Sequence, residues 1–429
     1  MRIAEASSAS RAELDIDQLR RVQCLLASVL EHNPFYSAKL KNTKASSVTS
    51  LSEFKSLVPF TYKWELTEDQ TKNPPFGSNL TYPLVRYTRF NQTSGTRGRP
   101  LRWLDTVESW QWMIDCWRRI FESAGVDSAD RVFFPFSFGP FLGFWLAFEA
   151  AAQMGSLVIS GGGMRSPARL RAILDNEVTV LCITPSYAVH LAEVAVSEGI
   201  DLSFAKVRKV IVAGEPGGSI PATRALIQKL WTGAQVIDHH GMTEIGPVTY
   251  ECPLNPGALH IMEAAFVAEI IHPETCEPVE PGQTGELVLT NLGRVGSPLL
   301  RYRTGDIVRR AEVVSCPCGS SELAIQGGIL ARSDDMVIVR GVNVYPSAIE
   351  DVMRSCGITE FRVETFVERS LTEMSITIEA DAERDNCASV IDRVVTALRN
   401  ALSLRVKVTS APRGSLPRFE GKSSRWIRR

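Results

Sequence analysis

Between Arg131 and Gly241 the chain alternates between short β-branched or aromatic runs and longer helical ones. VFFPF (132–136), SLVIS (156–160), VTVLCIT (178–184), VRKVIVAG (207–214) and AQVIDHHG (234–241) read as strands. Segments 143–154, 168–174, 187–198 and 222–231 carry apolar residues at helical spacing. Strands that run the same way need a crossover, and a helix is the usual one. The stretch therefore predicts a mostly parallel sheet covered on both faces. Ligands of such sheets bind beyond the carboxyl ends of the strands.

The flanking regions read differently. Residues 14–30 place Leu19, Val22, Leu25, Leu26, Val29 and Leu30 near helical spacing. FVAEIIHPETCEPVEPGQTGELVLTNL (266–292) reads as strands joined by Pro/Gly turns. ARSDDM (331–336) marks a boundary, followed by VIVRGVNVYP, a helix over 347–355, strand-like runs at 361–367 and 374–380, and a helix over 388–402. The predicted class is α/β: a large N-terminal domain, 1–331, with mostly parallel sheets and a small β region, and a small α+β C-terminal domain, 332–429. The length of 429 residues agrees, since single cores stop growing at roughly 250–300 residues.

Charge narrows the partners. With 47 basic and 48 acidic side chains the net charge is -1, so no global field draws nucleic acid or an anionic membrane surface. The longest uncharged apolar stretch, 132–148, is broken by Pro135, Gly139, Pro140 and Gly143, and a spanning helix needs ~20 apolar residues. The start, MRIAEASSAS, has no basic region leading into an apolar run. Nine scattered cysteines do not suggest a disulfide scaffold, so a cytoplasmic location is expected.

Five stretches carry chemistry. FNQTSGTRGRP (90–100) crowds hydroxyls and glycines into one loop. It is not a Walker A loop, because Pro100 stands where a second glycine is needed and no Lys-Ser/Thr follows. It suits an anion, or it is an ordinary polar turn. HHGMTEIG (239–246) leaves a strand end, where Glu244 suits Mg²⁺ beside phosphate. YRTGD (302–306) offers a carboxylate able to accept two hydroxyl hydrogen bonds, or a simple turn cap. ARSDDMVIVRGVNVYPSAIE (331–350) sets two acids before a strand, then Arg-Gly, then a helix. GSLPRFEGKSSRW (414–426) reads by composition alone as a frayed basic tail.

Together and in this order, these stretches resemble the adenylate-forming acyl/aryl-CoA synthetase superfamily, and within it the phenylacetate–CoA ligase-like branch. The resemblance covers nearly the whole chain from about residue 20 and is densest at TSGTRGRP, GMTEIG, LLRYRTGDI, RSDDMVIVRGVNVYPSAIE and GSLPRFEGK. It implies an enzyme that activates a carboxylic acid with ATP to an acyl-adenylate, releasing pyrophosphate, and then passes the acyl group to a thiol with loss of AMP. The thiol is CoA or, as an alternative, the phosphopantetheine of a carrier protein. A non-catalytic binding homologue is the reading from another class, although every expected catalytic position is filled.

The resemblance also assigns residues. Thr93, Ser94, Gly95, Thr96 and Gly98 would cradle the β- and γ-phosphates, with Arg97 where a second Thr is usual. Thr243 would meet the α-phosphate, Glu244 the Mg²⁺ and Asp306 the ribose. Adenine would lie between Gly214-Glu215-Pro216 and His239-His240-Gly241, near Asp238, with His240 where Tyr is common. Arg332 would reach the nucleotide, preceded by Ala331 where Gly is usual. Asp334 matches the hinge about which a mobile small domain rotates, and Lys422 the lysine that bridges carboxylate and α-phosphate. Arg340 and Gly341 would line the thiol tunnel. Phe136, Phe138 and Tyr187 fall where the acid pocket lies, so a small aromatic acid is expected. The resemblance also brings ECPLNPGALH (251–260) near SCPCG (315–319), so Cys252, His260, Cys316 and Cys318 suit a structural Zn²⁺, three thiols and an imidazole leaving no open position.

Overall fold

Strands Leu157–Ser160, Arg131–Phe134, Val180–Ile183, Lys209–Val212 and Gln235–Asp238 lie side by side in that order and are parallel throughout. Period-two alternation sorts their side chains. Val132, Phe134, Val180, Cys182, Ile211 and Ile237 enter one apolar cluster, and Phe133, Leu181, Ile183, Val210, Val212 and Val236 another. Both faces are thus dry, as a sheet of β-branched strands with helical crossovers requires. The crossovers are Leu142–Gln153, Ser166–Asp175, Pro185–Ser197 and Pro221–Leu230. Proline is the first or second residue of three of them, at a position whose N–H has no helical partner. This computed structural model describes residues 3, 9–44, 47–93, 100–312, 316–333, 337–340, 342–368, 371–380, 387–419 and 425–428.

The β region is larger than 266–292. Six antiparallel strands run in the order Thr249–Glu251, Ala258–Ile261, Ala324–Arg332, Tyr302–Arg310, Thr284–Asn291 and Phe266–Ile271. The N-terminal helix, Arg11–His32, opens with a Ser10–Glu13 capping box and buries Leu14, Val22, Leu25, Leu26 and Val29. Helix Val107–Ser123 escaped the sequence reading, although Trp110, Met113, Ile114, Trp117, Ile120 and Phe121 form its buried stripe at helical spacing.

After Arg332 the chain builds a separate core around Val339, Ile349, Met353, Val363, Ile376 and Val394. Its sheet order is Lys407–Pro412, Leu371–Ala380, Phe361–Glu368, Trp426–Arg428, backed by helices Pro346–Ser355 and Cys387–Leu402. The molecule is thus α/β with a small C-terminal α+β unit. The tail reading of 414–426 needs correction. Trp426 pairs in parallel with Val363, and Arg425 is buried with its guanidinium on Glu360 at 2.6 and 3.1 Å. Basic composition misled because the charge is matched inside the fold. Among the described residues no helix is long and apolar enough to cross a membrane.

Candidate active site

Adjacent parallel strands Lys209–Val212 and Gln235–Asp238 release their chains on the same side of the sheet, in register at Val212 and Asp238. One exit turns through Gly214, at φ +92°, into Glu215 and Pro216. Glu215 accepts the Ser186 N–H at 2.8 Å, which ties this segment to the neighbouring crossover helix. The other exit is His239-His240, followed by a tight ribbon pairing Gly241 with Pro247 and Met242 with Gly246. A Cβ on Gly241 would stand 2.9 Å from the Gly246 carbonyl oxygen, so glycine permits this closure. Thr243 and Glu244 sit at the ribbon's tip.

The antiparallel sheet delivers the partners. Asp306 lies opposite Arg332 on neighbouring strands, and Arg332 NH1 reaches Asp306 Oδ1 at 3.0 Å. His240 Nε2 lies 3.2 Å from the other oxygen of Asp306. Tyr302, on the same strand as Asp306, is buried against Glu244, and burial first, then the Glu244 charge, pushes its phenol well above the usual range. Three residues that are far apart in sequence, His240, Asp306 and Arg332, thus meet, with Glu244 close by through Tyr302.

Two supports carried no motif. Lys63 Nζ stands 3.0 Å from Glu244. It is held there because Thr61 exchanges backbone hydrogen bonds with Arg301 and Arg303 beside Tyr302. Arg294, fully buried, binds Asp105 through two nitrogens and donates NH1 to the Thr243 carbonyl at 2.7 Å.

Other predicted residues fall elsewhere. His239 turns into the core, its ring 4.4 Å centroid to centroid from Trp117, and burial, then His240, lowers its pKa to about 3. Asp238 takes the Ser219 hydroxyl at 2.6 Å, and burial raises its carboxyl to about 7. Tyr187 is 1% exposed, in the core on one face of the parallel sheet, with its hydroxyl held by Arg169 and Ser166. Phe136 and Phe138 do form an aromatic group with Trp145 and Phe148 at the end of strand Arg131–Phe134. Arg340 pairs with Glu373 at 2.7 Å on the small unit. Thr93, in the 90–100 stretch, exchanges backbone and hydroxyl bonds with Leu101 at 3.0 Å. Ser94, Gly95, Thr96, Arg97, Gly98, Asp334, Gly341 and Lys422 lie outside the described residues.

A second cluster stands apart. The ligand atoms of Cys252, His260, Cys316 and Cys318 all lie within 4.8 Å of one another. Cys252 Sγ is 3.3 Å from Cys316 Sγ, and Cys318 Sγ is 3.4 Å from His260 Nε2. Tetrahedral Zn²⁺ with ordinary bond lengths sets such edges at about 3.6–3.8 Å, so the set fits that ion. Burial, then the Cys316 thiol, pushes Cys252 up to about 12, and a cation would reverse that. His260 Nδ1 faces the Glu322 carbonyl at 3.4 Å, which would leave Nε2 for a metal.

Residues 90–293 match the AMP-binding enzyme family, and residues 341–429 match the AMP-binding enzyme C-terminal domain. A phenylacetate-coenzyme A ligase of Pseudomonas putida is 30% identical over 95% of this chain and 92% of its own. This chain belongs to the phenylacetate–CoA ligase branch of the adenylate-forming enzymes. It is an AMP-forming acid–thiol ligase. Its fold agrees with that of a 2-hydroxyisobutyryl-CoA ligase in the postadenylation state with R3-HIB-AMP, at a TM-score of 0.93 and 26% identity, covering 99% of this chain and 91% of that one. The same relative in the thioesterification state, with 2-HIB-AMP and CoA, scores 0.75 at 27% identity and equal coverage.

Proposed function

We propose that this adenylate-forming ligase converts a small aromatic acid to its CoA thioester, cleaving ATP to AMP and pyrophosphate, and that it works in the cytoplasm. The observation that carries the reading is the meeting of His240, Asp306 and Arg332 beside Glu244. Asp306 takes the ribose hydroxyls, exchanging its contact with His240 for them and freeing that ring to lie on adenine against Gly214-Glu215-Pro216 and Gly241, near Asp238. Thr243 meets the α-phosphate, and Arg332 follows the nucleotide. Thr93, Ser94, Gly95, Thr96 and Gly98 hold the departing pyrophosphate.

A carboxylate resists nucleophiles because its charge is delocalised. Attack of its oxygen on the α-phosphorus expels pyrophosphate and leaves a mixed anhydride that a thiol can open. Such transfers are accelerated by positioning and by fixed positive charge, here Lys422 and Arg332. Glu244 is a single buried hard donor, the kind that holds Mg²⁺ together with substrate phosphates. When bound, that ion would offset phosphate charge. Zn²⁺ at Cys252, His260, Cys316 and Cys318 would tie the hairpin 249–261 to the 316–318 loop and take no part in the chemistry.

The units 1–331 and 332–429 act as domains that turn about Asp334, bringing Lys422 for the first step and Arg340-Gly341 for the thiol in the second. The aromatic acid fits the Phe136, Phe138 and Trp145 group. CoA is the favoured thiol, given the thioester made by the named relatives; no observation favours a carrier protein. The test is a panel of aromatic and aliphatic acids with ATP, Mg²⁺ and CoA, products read by mass spectrometry. An aryl-CoA supports the proposal. Aliphatic thioesters alone overturn the acid class, and no thioester with any acid overturns the reading.

A further inference from the structure

One ion pair joins the small unit to the large one close in sequence to Lys422. Arg418, four residues before that lysine, donates NH1 and NH2 to Glu379 at 3.0 and 2.7 Å, within its own unit. Its third donor, Nε, crosses to Glu193 at 3.2 Å. Glu193 stands on helix Pro185–Ser197, a crossover of the parallel sheet. His190 flanks the same carboxylate at 3.9 Å. Burial alone would raise Glu193, but its neighbours His190 and Arg418 outweigh it and hold the carboxyl below its usual range. Both members of the pair are about three-quarters shielded, at 22% and 23% exposure, where a charge pair is screened less than on an open surface.

The arrangement in which this contact exists is the one nearer the relative's postadenylation state, at TM-score 0.93 against 0.75 for the thioesterification state. We propose that Glu193 is a positioning residue. It receives Arg418 and so favours the domain arrangement that forms the adenylate, and this contact opens before the thiol step. Arg418 keeps its two bonds to Glu379 in either arrangement, so only the Glu193 side is made and broken. A ligand-free tie of this kind shifts the population of one arrangement without touching substrate. The inference rests on the two-step reading above.

The test separates the half-reactions in the full-length chain. Glu193→Gln removes the charge at constant size, and Glu193→Lys repels Arg418. Rapid-quench measurement of adenylate formation should fall about two- to fivefold for Glu193→Gln, the upper part of what one such pair contributes, and further for Glu193→Lys. CoA acylation from supplied acyl-adenylate should hold or rise in both. Raised salt should slow adenylation in the parent more than in Glu193→Gln. Unchanged half-reactions in both variants, or equal loss in both half-reactions, overturns the proposal. A parent that forms no adenylate with any acid overturns the two-step reading and this inference with it.

Discussion

Arg294 and Asp105 share a two-pronged ion pair, 2.6 and 2.7 Å long, with both side chains fully shielded from water. The remaining guanidinium nitrogen holds the carbonyl of Thr243 at 2.7 Å. The pair therefore fixes the turn that presents Thr243 and Glu244. Arg294→Met would leave Asp105 buried and uncompensated, at a cost of about 3–5 kcal/mol. Urea unfolding should show that loss, and adenylation should fall in whatever fraction stays folded. An unchanged urea midpoint would contradict the account of this pair.

Asp238 and His239 pull the pH dependence of stability in opposite directions. Burial raises Asp238 from 3.8 to about 7 in the fold, so between those pH values the unfolded chain has lost a proton that the fold retains, and stability falls as pH rises. Burial lowers His239 from 6.5 to about 3, so between those values the unfolded chain holds a proton that the fold refuses, and stability rises with pH. The two slopes offset each other where the windows overlap. Asp238→Asn removes only the first. Its urea midpoint should gain on the parent's as pH rises from about 4 to about 7. A difference that does not vary with pH sinks the assignment.

The cysteine cluster predicts one zinc per chain in reduced protein. Replacement by Co²⁺ should give the visible spectrum of a tetrahedral sulfur-rich site. Cys318→Ser should lose the metal and lower the melting temperature while the surviving fold still forms adenylate, because none of the four ligands is among the residues placed on the nucleotide. Parent protein that is free of zinc and binds no Co²⁺ would remove the site.

Lys422→Ala should lower adenylate formation by ~10²–10³ and leave thioester formation from supplied adenylate near the parent rate. Equal losses in both half-reactions would mean that this lysine does not serve the first step alone.

The parallel sheet was legible because each strand is a short apolar run bounded by turns, and burial on both faces leaves no competing period. Asp306, Glu244 and Arg332 were legible because they lie within compact motifs. Lys63 and Asp105 were not, since each acts across more than 180 residues of sequence through packing that no local pattern records. Tyr187 carries no deciding pattern: an aromatic residue at a helix start fits a pocket wall or a core equally well, and its Arg169 and Ser166 partners are far too local a detail for sequence to show.

The central claim is acid activation through an adenylate, and it has a direct measurement: exchange of labelled pyrophosphate into ATP without any thiol. The account predicts exchange that requires both Mg²⁺ and a carboxylic acid, with an aromatic acid among the most effective. Exchange that is absent with every acid, or that proceeds equally without one, would contradict it.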